Sequence, residues 1–419
     1  METIKTLYKI GHGPSSSHTM GPANAAKYYK HHYPIATEFK VILYGSLALT
    51  GKGHLTDLAI IQTFAPAKVT IEWNATDTSI EHPNTMDFIA YHDDKIINTT
   101  RIFSIGGGAI RIKGEDKKKM LLKQIYKDNY ATQIIKTCKN NKINLYQYIQ
   151  RLEDKVLWHH LDKVWNVMQQ AITKGLKETG VLPGQLKLGR RASILFNTSA
   201  KKLKKQGIDL NHNLLMAYAF AVSETNASGG IVVTAPTCGA CGILPAVLLY
   251  TKDRMKLTKQ KIIEALAVAG LIGNIARQNG SIAGAEAGCQ AEVGVACSMT
   301  AAAYAYLLNL PTNKIFDAAS VALEHHLGLT CDPVLGFVQS PCIERNALAA
   351  IRAIDAVNLA ALSPNHKLFS YDDIIQTMLE TGKALQFGYR ETSTAGLAHT
   401  WSKKHKNKIK HNVFDIKVS

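Results

Sequence analysis

Residues 276–310 read ARQNGSIAGAEAGCQAEVGVACSMTAAAYAYLLNL. A polar, glycine-rich loop leads to Cys289 and then into a long run dominated by alanine and other apolar residues. Small residues let helices approach closely, and glycine lets a backbone come near a bound group. The same texture, long Ala/Leu/Ile segments broken by glycine loops, continues through most of the chain beyond about residue 155. This stretch therefore decides the larger part of the fold as mostly α-helical. Two further cysteines share the setting of Cys289. Cys331 lies in GLTCDP and Cys342 in SPCIERNA, each flanked by glycine, proline and polar residues and not by an apolar periodic segment. Three thiolates of this kind suit an iron–sulfur cluster with one iron left free of cysteine. An open iron is a Lewis acid, so an enzyme is expected and not a binding module.

The N-terminal part has another character. FKVILYGSLAL, AKVTIEW and KIINTTRIFSI are rich in Val, Ile, Thr and Tyr and read as strands. Residues 1–113 are expected to form a small α/β (α+β) domain, 114–155 a lysine-rich linker and connecting helix, 156–400 the larger helical domain and 401–419 a polar tail. With 419 residues and 46% hydrophobic content, the chain is long enough for two or three domains with sizeable cores. The start METIKTLYKI lacks the apolar core and cleavage site of a signal peptide. The most apolar run, Ala265–Gly273, is too short to span a bilayer. Seven cysteines in such a chain point to a reducing cytoplasm. The net charge of +17 sits in lysine clusters, Lys113–Lys123, Lys201–Lys205 and Lys403–Lys410, where aromatics are sparse. That pattern favours a solvated surface over a nucleic-acid platform.

Polar side chains mark candidate sites. GHGPSSSHTMGP (Gly11–Pro22) places the hydroxyls of Ser15, Ser16, Ser17 and Thr19 ahead of a helix expected to begin near Pro22, a setting for a small carboxylate; the same residues also suit a plain polar N-terminus. His18, His54 (GKGHLTD) and His82 (EHPNTM) adjoin turn residues, where a histidine is able to act as a base near neutral pH. SETNASGGIVVTAPT offers Asn226, Ser228 and Gly229 to a carboxylate or amine, or serves as an ordinary interhelical loop. Cys238 and Cys241 form a C-x-x-C without the partners a zinc or thioredoxin-type site requires. Cys138 and Cys297 lie in helical patterns and read as packing residues. His325 fits a helix end capped at Gly328, and His326 is open to a supporting role beside Cys331.

In order along the chain, SSSHTMGP, GSLALTGKGHLTD, HPNTM and FSIGGGA, followed by GVLPGQLKLGRRA, SETNASGGIVVTAPT, GAEAGCQAEVG, EHHLGLTCDPV, PCIERNA and YRETSTAGLA, resemble the iron–sulfur-dependent L-serine dehydratases. The resemblance implies a fused β and α domain, with Cys289, Cys331 and Cys342 holding a [4Fe–4S] cluster. It also implies that SSSHTMGP and the turn at His54 lie over that cluster and meet the substrate. The implied reaction is elimination of water from L-serine to give pyruvate and ammonia; turn placement and family position together point to His54 as base, with His18 and His82 as alternatives or carboxylate partners. The expected partners are L-serine and a second copy of the chain in a homodimer, without nucleic acid or membrane. Some family members end in a cysteine that covers the fourth iron. Trp401–Ser419 contains none, which leaves water, another side chain or the terminal carboxylate for that position. Two other readings stand beside this one: a pyridoxal phosphate lyase using Lys52, and a serine-sensing regulatory protein. A related dehydratase acting on another small hydroxy amino acid is a further alternative.

Overall fold

Apolar residues alternate along Phe39, Val41 and Leu43, and in the structure, a computed structural model, these three turn inward from one face of a strand. The structure describes residues 1–77, 79–115, 124–364 and 368–405. Most of the Lys113–Lys123 cluster, much of Lys403–Lys410 and the end of the tail, including Ser419, lie outside the described residues.

Strand β1 (Ile10–His12) precedes a five-stranded sheet formed by β2 (Glu38–Tyr44), β3 (Lys68–Asn74), β4 (Thr85–His92), β5 (Lys95–Ser104) and β6 (Ile110–Ile112). The order is β3-β2-β4-β5-β6; β2 and β3 are parallel and the remaining neighbours antiparallel. Helices Gly21–His32 and Thr56–Phe64 supply Ala25, Ala26, Tyr29, Ile60 and Phe64 to the core of this unit. At its centre Phe39 and Phe64 stack with ring centroids 4.1 Å apart.

The expected strand FKVILYGSLAL stops at Tyr44, and Gly45–Thr50 is helical. The break is steric. Gly45 has φ +52°, and a Cβ there would lie 2.5 Å from the Pro83 carbonyl oxygen. Only glycine adopts that conformation in that space. Strand β4, whose sequence TMDFIAYH was not singled out as a strand, fills the middle of the sheet beside β2.

Beyond the sheet the chain is helical, as its composition predicts. Ala131–Asn140 and Leu145–Leu152 contribute Ile134, Cys138, Leu145 and Ile149 to the larger core. Lys259–Asn279 is buried all round from Ile262 to Ala276 and packs on Val295–Leu307. A helix apolar on every side belongs in a core or a membrane. Here it is a core, with Glu264 at its entry accepting the Tyr306 hydroxyl at 2.7 Å and pairing with Lys261. Among the described residues no helix is long and apolar enough to cross a membrane.

The chain's first residues join this helical core and not the sheet. Met1, Ile4, Leu7 and Tyr8 are buried in it, and the Tyr8 hydroxyl donates to the Leu266 carbonyl at 2.8 Å. Glycines on the receiving helix make room: a Cβ at Gly270 would lie 2.2 Å from Ile4, and one at Gly273 would lie 2.6 Å from Leu7. β1 then pairs antiparallel with β7 (Ile231–Val233), within the SETNASGGIVV segment. The glycine turn before His54 docks on the far side, where a Cβ at Gly53 would lie 2.5 Å from the Leu335 carbonyl.

Phe64→Ala removes the centre of the small core and is expected to cost about 3–5 kcal/mol. The measurement is the shift in the denaturant midpoint followed by circular dichroism, and a change below about 1 kcal/mol would contradict this packing.

Candidate active site

Cys289 follows Gly288, which has φ +73° and would collide with the Leu329 carbonyl if it carried a Cβ. This tight approach brings the 281–289 loop against the segment that leads to Cys331. Cys331 is held by a two-residue bridge: its N–H donates to the Tyr389 carbonyl, and its carbonyl accepts from the Glu391 N–H, both at 2.8 Å. Cys342 is the first residue of the helix Cys342–Leu362. All three cysteines are buried and free of disulfides.

The ligand atoms of Cys289, Cys331 and Glu292 lie within 4.8 Å of one another. A hydrogen bond with Cys289, followed by burial, pushes the Cys331 thiol up, and burial followed by the charge of Cys289 does the same to Cys342. Burial likewise raises the Glu292 carboxyl to about 7, and the Cys331 Sγ lies 3.9 Å from its Oε2. A compensating cation adjoins them. Burial disfavours the Arg345 guanidinium, but Cys289, Cys342, Asp332 and Cys331 outweigh it and hold the charge. Arg345 donates to the Thr330 carbonyl at 2.6 Å and to Asp332 at 3.1 Å. Gly284 leaves space beside the sulfur, since a Cβ there would lie 3.2 Å from the Cys331 Sγ and 2.7 Å from Glu292 Oε2. Buried sulfurs in this arrangement suit a soft metal ion, whose positive charge would stabilise thiolates.

The second half of the site comes from the sheet-bearing part. The ligand atoms of His18, His54 and Glu391 also lie within 4.8 Å of one another. His18 and His54 are buried, with ring centroids 4.5 Å apart. Hydrogen bonds assign the tautomers. The Ser46 hydroxyl donates to the Glu391 carbonyl at 2.5 Å, so at 2.9 Å it accepts from His18 Nε2–H; His18 Nδ1 then accepts from Ser17 at 2.8 Å. His54 Nδ1–H donates to the Thr50 carbonyl at 3.0 Å, which leaves Nε2 as the bare nitrogen, 3.8 Å from Glu391 Oε1. Burial lowers His54 to about 4; burial and then the charge of His54 lower His18 well below the usual imidazole range. Burial, then the charges of Glu292 and Cys289, raise the Glu391 carboxyl far above the carboxylate range. His18 and His54 therefore meet Glu391 as neutral neighbours and not as ion pairs. Glu391 Oε2 is buried without a hydrogen-bond partner among the described residues.

The hydroxyl run builds the wall that holds these rings. Ser15 Oγ accepts from the His18 N–H, and the Thr19 hydroxyl donates to the His54 carbonyl at 2.6 Å. Ser16 is buried, and its hydroxyl makes no hydrogen bond among the described residues. His82 lies beside the centre. Its Nδ1 accepts from the Asn84 N–H, and its Nε2–H donates to Glu286 at 3.1 Å, three residues before Cys289. Asn226 donates to the Pro14 carbonyl at 2.8 Å, one residue before the hydroxyl run. Ser228 and Gly229 face other partners: Ser228 accepts from Arg190, and the Gly229 carbonyl accepts from His12. Cys238 and Cys241 are buried thiols, Cys238 beside Met20, and burial pushes both up. His326 is buried against Gly294, just past Cys289.

Sequence reasoning passed over Glu391, Ser46, Glu292 and Arg345 as site residues. Glu391 and Arg345 stood in quoted motifs, YRETSTAGLA and PCIERNA, with no role attached. A signal was there: charged residues among small and hydroxyl residues are seldom left unsolvated without a purpose.

Comparison with known proteins gives a consistent result. Residues 3–72 match the serine dehydratase beta chain family, and residues 104–398 match the serine dehydratase alpha chain family. The chain is 38% identical to L-serine dehydratase of Haemophilus influenzae, across 95% of its own length and 99% of that protein. It is 38% identical to L-serine dehydratase 2 of Escherichia coli, covering 95% and 98% of the two chains. It is 35% identical to L-serine dehydratase of Helicobacter pylori, with the same coverage.

Burial of neutral histidines has a thermodynamic consequence. Burial lowers His326 to about 4, while an unfolded histidine titrates near 6.5. Between those values the unfolded chain binds a proton that the folded chain does not, so stability falls as pH drops from about 6.5 towards 4. His326→Gln removes this contribution, up to about 3 kcal/mol at the acid end. Melting temperatures of both proteins against pH check it: the variant's curve should be the flatter.

Proposed function

Because the chain belongs to the serine dehydratase family, we propose that it is an L-serine ammonia-lyase, converting L-serine to pyruvate and ammonia by elimination of water. The observation that carries this reading is the meeting of two histidines from the sheet-bearing part with Cys289 and Cys331, joined through Glu391, with Cys342 near enough for the charge of Cys289 to act on it. Cys289, Cys331 and Cys342 would hold a [4Fe–4S] cluster, and the donor set fits it: buried sulfurs, a matching arginine and a glycine that keeps space beside one sulfur. When bound, such a cluster supplies an iron without a cysteine ligand, a Lewis acid for the hydroxyl leaving group.

The chain's own residues account for the rest of the reaction. His54 Nε2 takes the Cα proton, the released electron pair forms the Cα–Cβ double bond, and the Cβ–O bond breaks. The aminoacrylate formed tautomerises to an imine, which water hydrolyses to pyruvate and ammonia. The depressed basicity of His54 keeps it unprotonated across neutral pH, and the Thr50 carbonyl fixes which nitrogen is bare. His18, held between Ser17 and Ser46, backs that ring and keeps it oriented. The neutral Glu391 carboxyl, through its unpartnered Oε2, accepts a hydrogen bond from the substrate ammonium, and the unused Ser16 hydroxyl donates to its carboxylate, with Ser15, Ser17 and Thr19 shaping the wall. His82 and Asn226 secure the two segments that close the site, through Glu286 and Pro14.

The pyridoxal phosphate reading finds less support. Lys52 is exposed, with its ammonium 5.7 Å from the Trp73 ring centroid, and offers no sheltered amine for a Schiff base. A pure serine sensor would have no use for three clustered thiols.

Anaerobic protein reconstituted with iron and sulfide is expected to form pyruvate from L-serine; assays across L-serine, D-serine and L-threonine define the substrate. A colourless, iron-free protein with full activity would refute the cluster reading. Cys331→Ala should lose the broad visible absorption and the activity together. His54→Ala should keep the absorption and lose roughly 10²- to 10⁴-fold in turnover; near-normal turnover would remove His54 as the base. Glu391→Leu should raise the KM for serine, whereas Glu391→Gln, which keeps a neutral oxygen acceptor, should largely preserve it; an unchanged KM in Glu391→Leu would count against ammonium binding there.

A further inference from the structure

A cleft of about 1510 Å³ runs between the first residues of the chain, the Gly106–Gly108 turn and the end of the helix Lys259–Asn279. Its lining is unbalanced in charge. Among the described residues, Lys5, Lys9, Arg111 and Arg277 face it against two carboxylates, Glu2 and Glu115, leaving an excess of two positive charges. Most of these groups are engaged. Arg277 pairs with Glu2 at 3.3 Å, Glu115 accepts the Tyr28 hydroxyl at 2.7 Å, and Arg111 lies 4.2 Å over the Phe103 ring. Neither Lys5 nor Lys9 has a hydrogen bond or ion pair on its ammonium among the described residues, but Lys5 is exposed to water whereas Lys9 is only part-exposed.

The fold places Lys9 there firmly. Its N–H donates to the Thr234 hydroxyl and its carbonyl accepts from the Thr234 N–H, each at 2.9 Å. Its stem runs past Gly108, where a Cβ would lie 3.5 Å from Lys9 Cδ. Burial first, and then the charge of Arg277, lower Lys9 to about 8. Two cations thus share one partly sheltered space, a costly arrangement that a bound anion relieves.

The glycine turn adds donors. Gly106, Gly107 and Gly108 have φ of +90°, +55° and +73°. The Gly106 and Gly107 amides, both lining the cleft, donate to nothing among the described residues, whereas Ile105 and Ala109 nearby are hydrogen-bonded. Successive free amides in such a turn form a concavity suited to anions. Neither the cysteines nor His18 and His54 line this cleft; Thr19, whose hydroxyl donates to the His54 carbonyl, is the point where its wall meets that of the cysteine centre.

We propose that the cleft binds a small dianion, a phosphate monoester or a dicarboxylate, between Lys9, Arg277 and the Gly106–Gly107 turn, at a site separate from the cysteine centre. The inference does not depend on the reaction assigned above, because its readout is binding and not turnover. An occupant would also bear on the loop towards Cys289, since a Cβ at Gly106 would lie 3.3 Å from Ala283 and one at Gly107 3.2 Å from Ile282.

The test is calorimetric titration of the full chain, under anaerobic conditions and at constant ionic strength, with inorganic phosphate and with succinate. Saturable binding of at least one probe is expected. Lys9→Met should weaken it tenfold or more, Lys9→Arg should retain it, and Cys331→Ala should leave it intact. Absence of saturable binding by both probes overturns the proposal. So does unchanged affinity in a folded Lys9→Met protein, or displacement of the probe by L-serine in the Cys331→Ala protein. If Lys9→Met does not fold, acetylation of Lys9 in the wild-type chain, followed by mass spectrometry, decides the matter. Protection by the probe supports the site, and equal labelling with and without it refutes it.

Discussion

The backbone bridge between Cys331 and the Tyr389–Glu391 segment is the constraint on which the centre depends. Two hydrogen bonds of 2.8 Å tie a sulfur donor to a carboxylate more than fifty residues away in sequence. From that carboxylate the contacts run to His18 and His54 and, through the Glu391 carbonyl, to Ser46. Without the bridge the cysteines and the histidines would belong to separate parts of the molecule. With it, a soft donor set and two neutral imidazoles face one buried space.

Closing such a site requires the sheet-bearing part to be held against the helical body, and the chain does this several times. Its first residues are packed into the helical core, β1 pairs with β7, Asn226 grips Pro14, and the turn at Gly53 abuts Leu335. Glycine at the receiving positions is what allows the close approach: at Gly53, Gly270 and Gly273 a Cβ would collide with atoms across the junction. The junction also keeps the histidines dry. Desolvation is the main reason that His18 and His54 are neutral, and neutrality is what a proton acceptor needs.

Most of the architecture was legible from pattern alone. The β-branched and aromatic content of FKVILYGSLAL announced a strand, and alanine-rich runs announced helices. The reading slipped where a single backbone conformation overrode composition, as at Gly45, where a left-handed glycine turns an apolar run from strand into helix. In the site, the cysteines stood out because their glycine and proline neighbours are wrong for core packing. His18 and His54 stood out as histidines in turns. Glu391 and Arg345 did not, because a charged residue in a sequence looks the same whether it will be solvated or buried.

The sequence by itself determined the two kinds of core and singled out the candidate sulfur ligands and candidate bases, since composition and local residue chemistry are properties of neighbours along the chain. Only the tertiary structure decided that Glu391 joins the two halves of the site, that His54 presents a bare Nε2 while His18 is protonated there, and that Lys9 shares a cleft with Arg277. Those outcomes rest on contacts between distant segments and on exclusion of water. Both follow from packing in three dimensions and leave no periodic trace in the order of residues.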